Sequence, residues 1–104
     1  MADKKVDVTV KVKENAGVTP GVIKVRVIDE KNGLTQLENV RAIRIHSGDY
    51  VVLIMKDYSP TLGQIDGTVI FLVDDREITL RNVKGCFKHQ SNQFVMIIEE
   101  EMVS

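Results

Sequence analysis

The chain has 104 residues, 43% of them apolar, with 14 basic against 15 acidic side chains and a net charge of −1. That is one domain's worth of chain with enough apolar content to bury a core, which excludes a disordered segment. It also excludes the basic field that holds nucleic acid, and a single cysteine, Cys86, excludes an internal disulfide framework.

No apolar run approaches the about 20 residues of a membrane helix, and the N-terminus opens on alternation instead of a signal-peptide stretch. The expectation is a cytoplasmic protein without direct membrane insertion. Lys5 to Lys13 places Val6, Val8, Val10 and Val12 on one face of a strand and Asp7, Thr9 and Lys11 on the other. Glu14 to Gly21 interrupts this with two glycines and a proline and reads as a hinge. Val22 to Ile28 alternates again, with Ile23, Val25 and Val27 inward. Asn32-Gly33 then marks a hairpin, across which Leu34 to Leu37 pairs back. In Glu38 to Ile45, Val40 is out of phase with Ile43 and Ile45, which predicts a bulge near Arg41.

Tyr50-Val51-Val52-Leu53-Ile54-Met55 is a short β-branched run between turn signals and is predicted as a strand buried on both faces. Lys56 to Gly67, punctuated by Pro60, Gly63 and Gly67, reads as the longest irregular piece. Thr68 to Val73 is a second apolar strand. Asp74-Asp75 turns into a strand over Arg76 to Val83, Lys84-Gly85 turns again, and so does His89-Gln90-Ser91-Asn92. Gln93 to Glu99 closes the chain, with Phe94, Met96 and Ile98 on one face. Turn signals every eight to twelve residues or so give an all-β expectation: a single-domain β-sandwich of about eight to ten mostly antiparallel strands without a long helix. Residues 1–21 form its N-terminal strand and hinge, 22–100 the sandwich core and 101–104 a tail.

Chemistry-bearing residues are few. Cys86 and His89 can be written as nucleophile and base or, with His46, as metal ligands. Residues three apart in an extended segment point to opposite faces, however, and zinc asks for four ligands. Asp57, Asp74 and Asp75 are turn carboxylates, and Glu99-Glu100-Glu101 is a solvated terminal run. No glycine-rich phosphate loop occurs. Aromatics make up 5% of the chain with no Trp, too few for the stacking platforms of nucleic-acid modules. No cofactor, metal or catalytic set is expected. The segment Asp57-Tyr58-Ser59-Pro60-Thr61-Leu62 offers apolar groups between two strands and is the predicted partner contact.

From Val25 onward the order of motifs resembles a known family. Glu38-Asn39-Val40-Arg41-Ala42-Ile43 stands for an E-x-V-x-x-(I/V) strand, followed by a Gly-acid turn at Gly48-Asp49. Asp57–Leu62 stands for a Gly-His-Ala-Pro-Leu loop and Gly67-Thr68-Val69-Ile70 for a glycine-opened strand. Gly85-Cys86-Phe87 stands for a Gly-Gly-Phe turn, Ser91-Asn92 for a polar hairpin, and Phe94-Val95-Met96-Ile97 for the last strand. Together these are similar to the N-terminal β-sandwich of the ATP synthase epsilon subunit. The loop histidine is absent, Cys86 replaces the second glycine, an extra N-terminal strand precedes the match, and the family's C-terminal helical hairpin has no counterpart. The resemblance implies a non-catalytic module that docks on a stalk-type subunit, and the departures suit a stand-alone relative with another partner. The alternative is a small-molecule- or metal-binding β-module using His46, Cys86 and His89. The Val6–Val12 strand can pair at a sheet edge, its own or that of a second copy in a homodimer.

Overall fold

The computed structural model describes residues 7–12, 23–30, 33–73 and 76–99. They form seven strands and no helix: β1 (Asp7–Val12), β2 (Ile23–Asp29), β3 (Gly33–Ser47), β4 (Val51–Met55), β5 (Thr61–Val73), β6 (Arg76–Gln90) and β7 (Gln93–Ile98). The all-β reading holds. In place of two stacked layers, however, there is one continuous sheet. Its strands β6, β5, β3, β2 and β7 follow one another by hydrogen bonding, and β7 pairs back onto β6, closing a five-stranded barrel. All neighbours are antiparallel except β2 and β7, which run parallel from Lys24↔Gln93 to Asp29↔Ile98.

Fewer strands than expected appear because three of them are long. Two of them, β3 and β6, change a partner partway along, and β5 keeps β6 throughout and gains β3 from Gly67. β3 pairs with β2 through Val40 and with β4 from Ala42, and the change falls on a bulge between Val40 and Ala42, where the phase break at Arg41 predicted one. β6 pairs with β1 up to Arg81 and with β7 from Gly85. Lys84-Gly85 is therefore not a turn but the middle of a 15-residue strand. Likewise Thr61 to Gly67, read as irregular, is the first half of β5, and only Lys56–Pro60 lies between strands. The reason is the same at each site: glycine inside a strand marks a close backbone approach as readily as it marks a turn. The Ser91-Asn92 turn is real, with both residues at positive φ (51° and 59°), the conformation a two-residue hairpin requires.

The Tyr50–Met55 prediction also changes. Val51–Met55 is a strand, but it pairs only with β3 among the described residues and lies off the barrel ring. Ile54 is buried and Val52 half-buried, whereas Val51, Leu53 and Met55 face out, Val51 at 65% exposure. An apolar run cannot by itself tell burial on both faces from burial on one, because the side-chain alternation is masked when every residue is greasy. β1 lies on the other flank and pairs with its own chain's β6, from Asp7↔Arg81 to Val12↔Arg76, with Arg81 Nη1 donating to Thr9 Oγ1 at 2.8 Å. The hinge, the Asn32 and Asp74-Asp75 turn positions and the tail lie outside the described residues.

The inward faces meet in a single core. Ile23, Val25 and Val27 of β2 do what the alternation predicts, as do Phe94, Met96 and Ile98 of β7. Phe94 is the hub. It lies edge-on to Phe71 (centroids 6.1 Å apart) and stacked on Phe87 (5.5 Å). Each fully buried aliphatic adds about 1.5–3 kcal/mol, set against about 1–2 kcal/mol for every residue whose backbone is ordered. The barrel solves this by giving each strand one inward row.

Candidate functional site

The predicted contact segment sits at one mouth of the barrel, between β4 and β5. Tyr58 N–H donates to the Met55 carbonyl at 3.1 Å, which turns the chain as it leaves β4. Asp57 takes a positive φ of 63°, a conformation that Asp and Asn tolerate better than most residues. Its N–H donates to Asn92 Oδ1 at 2.7 Å, and Asn92 Nδ2 donates back to Asp57 Oδ1 at 3.2 Å. The Asn92 carbonyl in turn accepts from Lys24 N–H at 3.0 Å. One turn residue therefore ties the linker to β2 and to the β6–β7 hairpin. Asn92→Ala removes two side-chain hydrogen bonds and puts a less suitable residue at positive φ. It is expected to lower stability by about 1–2 kcal/mol in urea denaturation, whereas Ser91→Ala, at the exposed turn neighbour, is expected to cost less.

The six predicted residues divide by role. Asp57 fastens the linker. Tyr58 is half-buried against the core, its ring edge-on to His89 at 6.3 Å. Ser59 and Pro60 are exposed, Thr61 is half-buried as the first residue of β5, and Leu62 stands out at 75% exposure. The exposed apolar group of the segment is thus Leu62, whereas Tyr58 packs against the core. Leu62 faces Lys88 on β6, which faces Val95 on β7, and the next row is Gln64, Cys86 and Ile97. Of these, Ile97 and Cys86 are exposed, so Leu62 and Ile97 bracket a mixed outer face with a thiol and an ammonium between them.

Further along β5 the sheet is tied by polar groups the sequence did not single out. Tyr50 Oη donates to the Gln64 carbonyl, and Ser47 Oγ accepts from Asp66 N–H at 3.0 Å. Burial pushes the Tyr50 phenol above its ordinary value, against the opposing pull of a hydrogen bond with Ser47. Both contacts join residues 14 or more positions apart, and nothing in local patterning encodes them.

His46, Cys86 and His89 are not brought together. His46 is exposed on the outer face of β3 and Cys86 on that of β6, while His89 points inward and is wholly buried. Strand alternation from Phe87 puts His89 inside, and this was legible once the strand is known to run through to Gln90. Neither His89 ring nitrogen has a hydrogen-bond partner, and burial pushes the imidazole below its usual range. Among the described residues no group of three or more His, Cys, Asp or Glu side chains is arranged to hold a metal ion. No helix of the described chain is long and apolar enough to cross a membrane.

A groove of about 370 Å³ opens between β1 and the β2–β3 hairpin, lined by Val8, Val10, Val27, Leu37, Leu80 and Ile98 among others, with Asp29 and Thr35 as its polar members. The alternation of β1 sets its valines on one face, as in a strand half-buried against a core. Val8 and Val10 instead remain more than half exposed, because the hairpin stands off from β1 across this groove. The chain matches no protein-family model and no curated protein.

Proposed function

We propose that this protein is a non-catalytic interaction or assembly module whose contact surface is centred on Leu62, at the end of the Asp57–Leu62 segment. The observation that carries the reading is the contrast within that segment. Asp57 and Tyr58 are spent on fastening it, and Leu62 is left 75% exposed on a regular strand, where its position is fixed before any partner arrives. A rigid apolar anchor loses little freedom on binding, which is how a few residues come to dominate an interface. The resemblance to the ATP synthase epsilon sandwich supports the same class of role. It extends the proposal to a cytoplasmic stand-alone relative whose partner takes the place of a stalk-type subunit.

Leu62→Glu tests this. Affinity capture from native lysate is expected to lose the partner bound by the wild type, a loss of at least about 2 kcal/mol for a central anchor, while the melting temperature stays the same. Unchanged capture would remove Leu62 from the contact and the proposal with it.

A further inference from the structure

We infer that the Asp57–Asn92 end of the barrel is an acid-opened latch, in which proton uptake by His89 drives the Tyr58 linker off the mouth and exposes the aromatic cluster beneath. The inference stands on packing and does not depend on the partner proposed above. His89 has no exposed surface and neither ring nitrogen has a partner, yet its immediate neighbours are rings: Tyr58 from the linker at 6.3 Å and Phe94 from β7 at 6.3 Å. A neutral imidazole tolerates such a place. An imidazolium carries two N–H donors and a charge with nothing to receive them.

The titratable and charged groups around it offer no relief. The linker contributes Tyr58, a phenol, Asp57, whose carboxylate already accepts from the Asn92 amide, and Lys56, which is exposed and itself a cation. The residues facing His89 across the ladder are Thr61 of β5 and Phe94 of β7, neither of them charged. Lys88 lies on the opposite face of β6 and is exposed.

The response is local because the linker is the weakest wall of the chamber. Its attachments are the Tyr58–Met55 backbone bond, the two Asp57–Asn92 bonds and the Tyr58 ring contacts. The other walls are ladder pairs of β5, β6 and β7, which would have to unzip together. Moving Tyr58 outward brings water to His89 while Thr61↔His89 and His89↔Phe94 remain paired. In the closed form the imidazole binds its proton less readily than the ordinary value of 6.5, as burial requires. The open form therefore holds more protons. The latch is fully shut above pH 6.5 and opens progressively as pH falls below it, until the depressed closed-state pKa is passed.

The Asp57 amide reports the latch directly, since it is bonded across it to Asn92, and the Tyr58 amide reports the turn that carries the linker out of β4. In hydrogen exchange on the full chain between about pH 7.5 and about pH 5, their protection factors are expected to fall progressively below pH 6.5, by up to about tenfold per pH unit. Amides in the β3–β5 ladder are expected to keep theirs. His89→Phe is expected to hold the Asp57 and Tyr58 amides protected throughout. Should that variant fail to fold, the ring nitrogen shifts of wild-type His89 serve instead and are expected to report protonation in step with the loss of protection. The latch is overturned by equal acid response in wild type and His89→Phe. It is equally overturned by loss of protection across the whole barrel at once, or by a His89 ring still neutral and a mouth still closed at the acid end.

Discussion

Phe94→Ala is expected to cost about 4 kcal/mol, within the range of large-to-small changes at fully enclosed aromatic sites. Phe94 has no exposed surface and touches Phe71, Phe87 and His89 through ring contacts on three sides. Those neighbours belong to β5 and β6, and Phe94 itself sits on β7, which closes the barrel by pairing with β2 on one side and β6 on the other. Its loss removes both transfer free energy and the filler at the seam. A domain of this size has about 5–15 kcal/mol of total stability, so the variant is expected to melt some 15–30 °C lower or to be partly unfolded at room temperature. Phe94→Leu keeps most of the volume and is expected to lose markedly less. Ile97→Ala, on the same strand but facing out, is expected to change stability by less than about 1 kcal/mol. Equal melting temperatures for Phe94→Ala and Ile97→Ala would show that β7's inward row does not carry the closure.

The parts of this fold that were legible in the sequence are those where one face is apolar and the other is not. β2 reads Ile-Lys-Val-Arg-Val, and its burial alternates in step. The phase slip at Val40 foretold the bulge, and Ser91-Asn92 foretold the last hairpin. Two kinds of information were not legible. The first is partner identity: nothing in Gln93–Ile98 distinguishes a strand that ends a sandwich from one that pairs in parallel with β2 and seals a ring, because that contact joins residues about seventy positions apart. The second is the state of all-apolar stretches, as in β4, where Leu53 and Ile54 have the same chemistry and opposite exposure. At the candidate site the segment was found by its composition. Which of its residues anchors and which presents depended on Asn92, 35 positions away, and on His89 continuing a strand that Gly85 had appeared to end.

That glycine gives the second large expected effect. Gly85 is buried in the middle of β6, opposite Ile65 of β5 and Ile98 of β7. A Cβ built there would fall far inside van der Waals distance of the Ile97 carbonyl oxygen, with the Ile97 carbonyl carbon and Ile98 Cα close behind. Each of those atoms is backbone, so no side chain can swing aside, and the strand that must yield is the one that closes the barrel. Gly85→Ala is therefore expected to cost about 3 kcal/mol, at the upper end of overpacking effects, and to be felt first as fraying between β6 and β7. Gly63 makes the comparison informative. A Cβ there meets the edge of the Phe87 ring at 3.0 Å, a side-chain contact with some freedom to rotate, so Gly63→Ala is expected to be the milder change. Guanidinium denaturation of the two variants tests the ranking, and exchange rates at Phe87 and Met96 locate the damage. If Gly63→Ala proved the more destabilising, the tight backbone approach at Gly85 would not be what draws β7 onto β6. The reading of this glycine as a closure point instead of a turn would then fail.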